Sequence, residues 1–343
     1  MSDVLLANIL YVFVSISWII YLVQELFISG SSSLNVSLSK TEEERKQIQV
    51  ATGIHWDGIE VWLLAAVTVT FGAFPLVFAT IFSHMYVVFF LLLYALIGRG
   101  ISIEVIYKLD NKKWVKTMVI TWMVSSILIL FILGMYISNI LLGVTMDDGG
   151  FTKGFISLFN VTSISAGLLF VTLGFTAGAG WISLTTAGDI AQRAVAFVKK
   201  VGVVYMVPVL LLLVLMGLNQ NATSIFIGEL FSKSPLFFIL PILTVAGAIM
   251  VTISGYRTKG KELYIFSLIT MAMFLITGFV GIYPYMLPSR LMFEYGISIE
   301  DAMVSTKALK LIFYAVIIFY PIVISYQTWK YIRFTKKVKP NDE

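Results

Sequence analysis

The chain has 343 residues, of which 59% are hydrophobic and only 13% charged, and its mean hydropathy is +0.93; that leaves too little polar surface for a water-soluble fold of this size. Its net charge of +5 is scattered over separate loops, without the single basic face that nucleic-acid binding needs, and the absence of cysteine excludes disulfides, thiolate metal sites and iron–sulfur ligation. The apolar residues come in blocks long enough to cross a bilayer, so we expect an all-α, polytopic integral membrane protein with one membrane domain over residues 1–343.

Segmentation at polar clusters predicts nine spans, at 4–29, 57–82, 85–107, 114–142, 154–185, 201–218, 235–256, 262–286 and 308–332. The first follows Asp3 rather than a basic region and shows no small-residue cleavage motif, so it is expected to be a retained helix and not a signal peptide. The loop after it carries Glu42-Glu43-Glu44-Arg45-Lys46, which suggests a short interfacial helix. Span five contains Gly174, Gly178 and Gly180, the mark of close helix packing. Prolines 75, 208, 241, 284 and 321 fall in or at the ends of spans, where kinks are tolerated. The loop 286–307 carries Glu300 and Asp301, and no extramembrane domain or strict repeat is visible.

Charge gives the spans a direction, because Lys and Arg collect on the cytoplasmic side of short loops. One side holds Lys40, Arg45, Lys46, Lys108, Lys112, Lys113, Lys116, Arg193, Lys199, Lys200, Arg257, Lys259, Lys261 and the basic tail from Lys330 to Lys339. The other holds only Lys153, Lys233, Arg290, Lys307 and Lys310. The expected arrangement is an external N-terminus and a cytoplasmic C-terminus.

Charged side chains in lipid are costly and usually functional. Glu25 lies toward the end of span one, His55, Asp57 and Glu60 open span two, and Arg99 and Glu104 lie near the inner end of span three. All are expected at similar depth. Asp57 and Glu60, three residues apart, share a helical face. A hydrated cluster of carboxylates and imidazole could pass protons from the cytoplasm. Asp57 could equally cap span two, and Arg99 could pair with Glu60 or Glu104 as a structural bridge.

Membrane hemes usually take His ligands, and the chain has two histidines, His55 and His84. At opposite ends of a straight span two they would be about 40 Å apart at 1.5 Å per residue, too far to share one heme. Any heme would therefore need ligands from a partner.

The sequence resembles subunit II of cytochrome bd-type quinol oxidases. The resemblance is carried by Glu44-Arg45; by His55-Trp56-Asp57-Gly58-Ile59-Glu60-Val61-Trp62; by Phe71-Gly72-Ala73-Phe74-Pro75; and by Gly98-Arg99-Gly100 with Glu104. It continues through Gly178-Ala179-Gly180-Trp181, Tyr283-Pro284-Tyr285 and the final Tyr326-Gln327-Thr328-Trp329-Lys330-Tyr331. It implies nine helices arranged as two four-helix bundles plus a peripheral helix, in a bacterial or archaeal cytoplasmic membrane. It also implies a homologous subunit I that carries hemes b and d and oxidises quinol, while this chain binds no cofactor of its own. Small single-span accessory subunits and a bound lipid or quinone are further partners the resemblance allows.

In that family the position of Asp57 is associated with proton uptake, and Arg99 with the same polar inner region. Glu25, His55, Glu60 and Glu104 are the expected companions, with Trp56, Gly58 and Trp62 as structural motif residues. The chain departs from the family after span one, where Gln24-Glu25-Leu26-Phe27 replaces a Gly-Phe-Asp type of turn. The competing functions are a proton-coupled secondary transporter and a purely structural scaffold.

Overall fold

The computed structural model describes residues 2–147, 150–151, 154–201, 205, 207–208, 229–335 and 337–339. Helix α1, Asp3–Leu38, has 36 residues and is about 54 Å long at 1.5 Å per residue. It runs nine residues past the predicted end of span one. Its polar last turns stay helical because Ser31, Ser32 and Ser33 donate to the carbonyls of Phe27, Ile28 and Ser29, each four residues back. Helix α2, Glu42–Gly53, is the short helix expected after it, closed at its start by a reciprocal Thr41–Glu44 capping box.

Helix α3 is Trp56–Ala73 and helix α4 is Pro75–Val105. The helix boundary predicted near residue 82 is thus displaced to Phe74. Pro75 has no N–H to continue the ladder, and its ring clashes with the carbonyl four residues earlier. At Met85, where the sequence placed the start of span three, α4 instead bends, with φ −105° and ψ 18°. The break at Phe74-Pro75, between His55 and His84, removes the straight rod on which their predicted 40 Å separation rested.

Helix α5 is Lys112–Leu141 and α6 is Val161–Thr185. Residues 155–158, which the sequence assigned to span five, form a separate 3-10 turn. Asn160 then starts α6 by accepting from Ser163 N at 2.9 Å. Helix α7, Asp189–Val201, was not predicted. It buries Ile190, Ala194 and Val198 and leaves Asp189 and Lys199 exposed, so a search for continuous apolar runs passes over it. The predicted span 201–218 lies almost entirely outside the described residues. Helices α8 (Ile239–Tyr256), α9 (Gly260–Ile282) and α10 (Thr306–Phe334) match the last three predicted spans to within a few residues.

Among the described residues, eight helical segments are long and apolar enough to cross a membrane. Helices α1, α3, α4 and α5 pack into one four-helix bundle. Helices α6, α8 and α9 pack beside it, with α1 and α6 forming the seam, and α10 lies outside against α1 and α3. Among the described residues this gives the first implied four-helix bundle, three helices of the second and a peripheral helix.

The loops sort onto two faces. On one, Thr306 Oγ1 donates to Asp3 at 2.5 Å, Val304 N to Ala73 O at 3.0 Å and Val144 N to Pro288 O at 3.1 Å. On the other, Arg193 reaches the Leu38 carbonyl at 3.2 Å, Gln49 the Ile103 carbonyl at 2.6 Å, and Val338 N the Thr185 carbonyl at 2.7 Å. The second face is the one the basic loops occupy.

A buried ion triad and its polar rim

Glu25 and Ser29 are one turn apart on α1, and the Ser29 hydroxyl donates to the Glu25 carboxylate. Arg99 enters from α4. The glycines on either side of it let neighbouring elements close in: a Cβ on Gly98 would lie 2.5 Å from Ser125 Oγ, and one on Gly100 would lie 3.1 Å from the Trp56 ring. Arg99 Nη1 binds both Glu25 Oε1 and Ser29 Oγ, the latter at 3.0 Å, while Nη2 binds Glu60 Oε1 at 2.6 Å. One guanidinium therefore bridges three helices. Removing such charges from water is tolerable only because they are paired.

The triad is not fully satisfied. Glu25 Oε2 and Arg99 Nε are buried without hydrogen-bond partners. The Glu25 and Arg99 side chains are 0% and 1% exposed, whereas Glu60 is 25% exposed. Within the triad, Glu60 is the member that reaches the surroundings. One cation between two carboxylates also leaves a formal charge of −1, which one proton would neutralise.

The other predicted site residues stand apart from this triad, against the expectation of a single cluster. Asp57 and Glu60 share the expected side of α3, but a three-residue step turns them about 60° apart. Asp57 pairs with Lys330 of α10 at 2.8 Å, its side chain 65% exposed. It sits in the first turn of α3, where an acidic side chain suits the helix dipole, while the N-cap residue His55 makes no side-chain capping bond. Glu104 pairs with neither Arg99 nor Glu60 in the described hydrogen bonds; it accepts from Trp56 Nε1 at 3.3 Å.

His55 is buried. It stacks on Tyr331 with ring centroids 4.4 Å apart, meets Trp181 edge-on, and has Nε2 3.3 Å from Thr335 Oγ1. Gly58 lets α10 approach α3, where Gln327 Nε2 donates to its carbonyl at 2.7 Å. Trp62 is buried against Tyr320 of the same helix. No group of three or more His, Cys, Asp or Glu capable of holding a metal ion occurs among the described residues.

Sequence reasoning missed Ser29 and the partners on α10. Ser29 had a usable signal, its position four residues from Glu25. Lys330 stands in the basic tail and in the final Tyr326–Tyr331 motif, but nothing in its local sequence says that α10 returns to the start of α3.

A family model for cytochrome bd terminal oxidase subunit II matches residues 6–334. The chain is 29% identical over 339 residues to cytochrome bd ubiquinol oxidase subunit 2 of Bacillus subtilis, covering 97% of both chains. It is 23% identical to cytochrome bd-I ubiquinol oxidase subunit 2 of Escherichia coli, covering 92% of this chain and 90% of that one. Its fold matches a chain of the bd oxidase from Geobacillus thermodenitrificans with a TM-score of 0.73 at 16% identity, over 95% of this chain and 99% of that chain.

Proposed function

The chain belongs to the cytochrome bd terminal oxidase subunit II family, and from that premise we propose that it is the heme-free partner of a heme-bearing subunit I and carries protons toward it from the cytoplasm. The observation that supports this reading is Glu60, partly exposed yet bonded to the buried Arg99–Glu25 pair. A proton that reaches Glu60, directly from the surface or by way of Asp57, neutralises the excess negative charge of the triad. The orphaned Glu25 Oε2 offers it a further acceptor on α1. Hemes b and d in subunit I supply the reduction of oxygen by quinol, and this chain supplies the protonable groups that lead inward.

Lys330 holds the Asp57 carboxylate at the mouth of this route, and Glu104 holds Trp56 beside it. His55 is a positioning residue for the chain end, through Tyr331 and Thr335. Asp57→Asn preserves size and most hydrogen bonding while removing the titratable proton. We expect at least a tenfold loss of quinol-dependent oxygen consumption with heme content unchanged. A normal rate between pH 6 and 9 in a fully assembled complex would leave the scaffold reading in place of the conduit.

The face with most basic residues is assigned to the cytoplasm. The sequence has no cysteine, so single cysteines can report sidedness. An impermeant thiol reagent added to intact cells is expected to label Glu300→Cys and not Lys113→Cys, both exposed positions. The reverse pattern would invert the topology.

A further inference from the structure

On the basic face, a groove of about 470 Å³ opens between the end of α1, the start of α2 and the first turns of α5. Three cations line it, Arg45 from α2 and Lys112 and Lys116 from α5, against two carboxylates, Glu42 and Asp110. Lys112 and Lys116 are one turn apart, so they share a side of α5. None of the three cations forms an ion pair among the described residues, and Arg45 Nε is buried without a hydrogen-bond partner. The N-terminus of α5 contributes little further, because the Asn111 side chain already accepts from Lys113 N and Trp114 N.

Below this charged rim the groove becomes apolar. Val119 and Ile120 continue down α5 past Lys116, and Val36 faces them from α1. Ile120 and Val36 are 41% and 42% exposed. The change from cations to aliphatic side chains takes one to two helical turns, about 6–12 Å. That is the profile of a lipid: a headgroup at the interface and an acyl chain along the helices. A free anion would use the rim and have no need of the wall.

We propose that this groove binds an anionic phospholipid from the leaflet on the basic face, its phosphate between Arg45, Lys112 and Lys116 and an acyl chain against Val36 and Ile120. A juxtamembrane cation contributes enough attraction to an anionic lipid that each one removed weakens binding about fivefold.

The test is native mass spectrometry of the detergent-purified oxidase complex titrated with phosphatidylglycerol, with phosphatidylcholine and inorganic phosphate as comparison probes. Phosphatidylglycerol is expected to bind in preference to phosphatidylcholine. The triple variant Arg45→Gln/Lys112→Gln/Lys116→Gln should weaken it about a hundredfold. Glu42→Gln/Asp110→Asn should tighten it, an opposite response that loss of folding cannot imitate. Ile120→Asn should weaken the lipid although every charge remains. Unchanged phosphatidylglycerol affinity in the triple variant, equal binding of phosphatidylcholine, or displacement by millimolar inorganic phosphate would each overturn the proposal. The last would indicate a site for a soluble anion.

Discussion

Gly178→Val is expected to abolish accumulation of the folded chain. The seam between α1 and α6 is a backbone-to-backbone contact. A Cβ on Gly178 would fall on the carbonyl carbon of Gly30 and the nitrogen of Ser31, and one on Gly30 would fall on the Gly174 carbonyl oxygen. These obstacles belong to a neighbouring helix backbone and cannot rotate away as a side chain would, so the helices must separate. In lipid, helix association depends on such close packing because burial of apolar surface gives no advantage over the acyl chains.

Separation would propagate. The Ser31 hydroxyl donates to Gly178 O at 3.3 Å, Phe27 packs on Trp181 at 4.7 Å between ring centroids, and Trp181 Nε1 donates to Ala51 O at 3.2 Å. The cost is expected to exceed the ~1–3 kcal/mol of ordinary overpacking. Gly154→Val is the control, since nothing lies within 4 Å of a Cβ there. The measurement is the yield of monodisperse, heme-containing complex from equal membrane mass. A Gly178→Val yield equal to that of Gly154→Val would show that the seam can open without loss.

The membrane class and most spans could be read from the sequence because hydropathy acts over some twenty residues at a time, and lipid enforces it uniformly. Helices α5, α8, α9 and α10 were placed well for that reason. What hydropathy does not see is local chemistry. The serines that end α1 look like a loop until their hydroxyls are given carbonyls to bind. Phe74-Pro75 and Met85 bend an apolar run whose average never changes, and α7 is too charged for the search that found the others.

The candidate site was legible as a set of residues and misread as an arrangement. Glu25, Glu60 and Arg99 drew notice as charges in apolar segments, and they do meet. Asp57 was grouped with them by spacing along α3, yet its partner is Lys330, 273 residues away in sequence. The long return of α10 decides that pairing, and no local pattern encodes it.

Arg99→Ala is expected to remove both assembly and activity, and the triad permits a test that separates the two. Losing the guanidinium strands Glu25, which is fully buried, beside Glu60, two carboxylates left with only Ser29 and the partial exposure of Glu60. Breaking a buried pair by removing one partner typically costs ~3–5 kcal/mol, enough to unfold a marginally stable protein. Replacing all three residues with apolar ones of similar volume, Glu25→Met/Arg99→Met/Glu60→Met, removes every buried charge together. Such exchanges are often neutral or stabilising, so assembly should return toward the unmodified level. If the triad only holds helices together, quinol-dependent oxygen consumption should return with it. If Glu60 and Glu25 carry protons, the apolar complex should assemble with its full heme spectrum and still consume oxygen at least tenfold more slowly. Heme content and turnover measured on the same preparation distinguish these results, and recovery of both would remove the triad from the proton route.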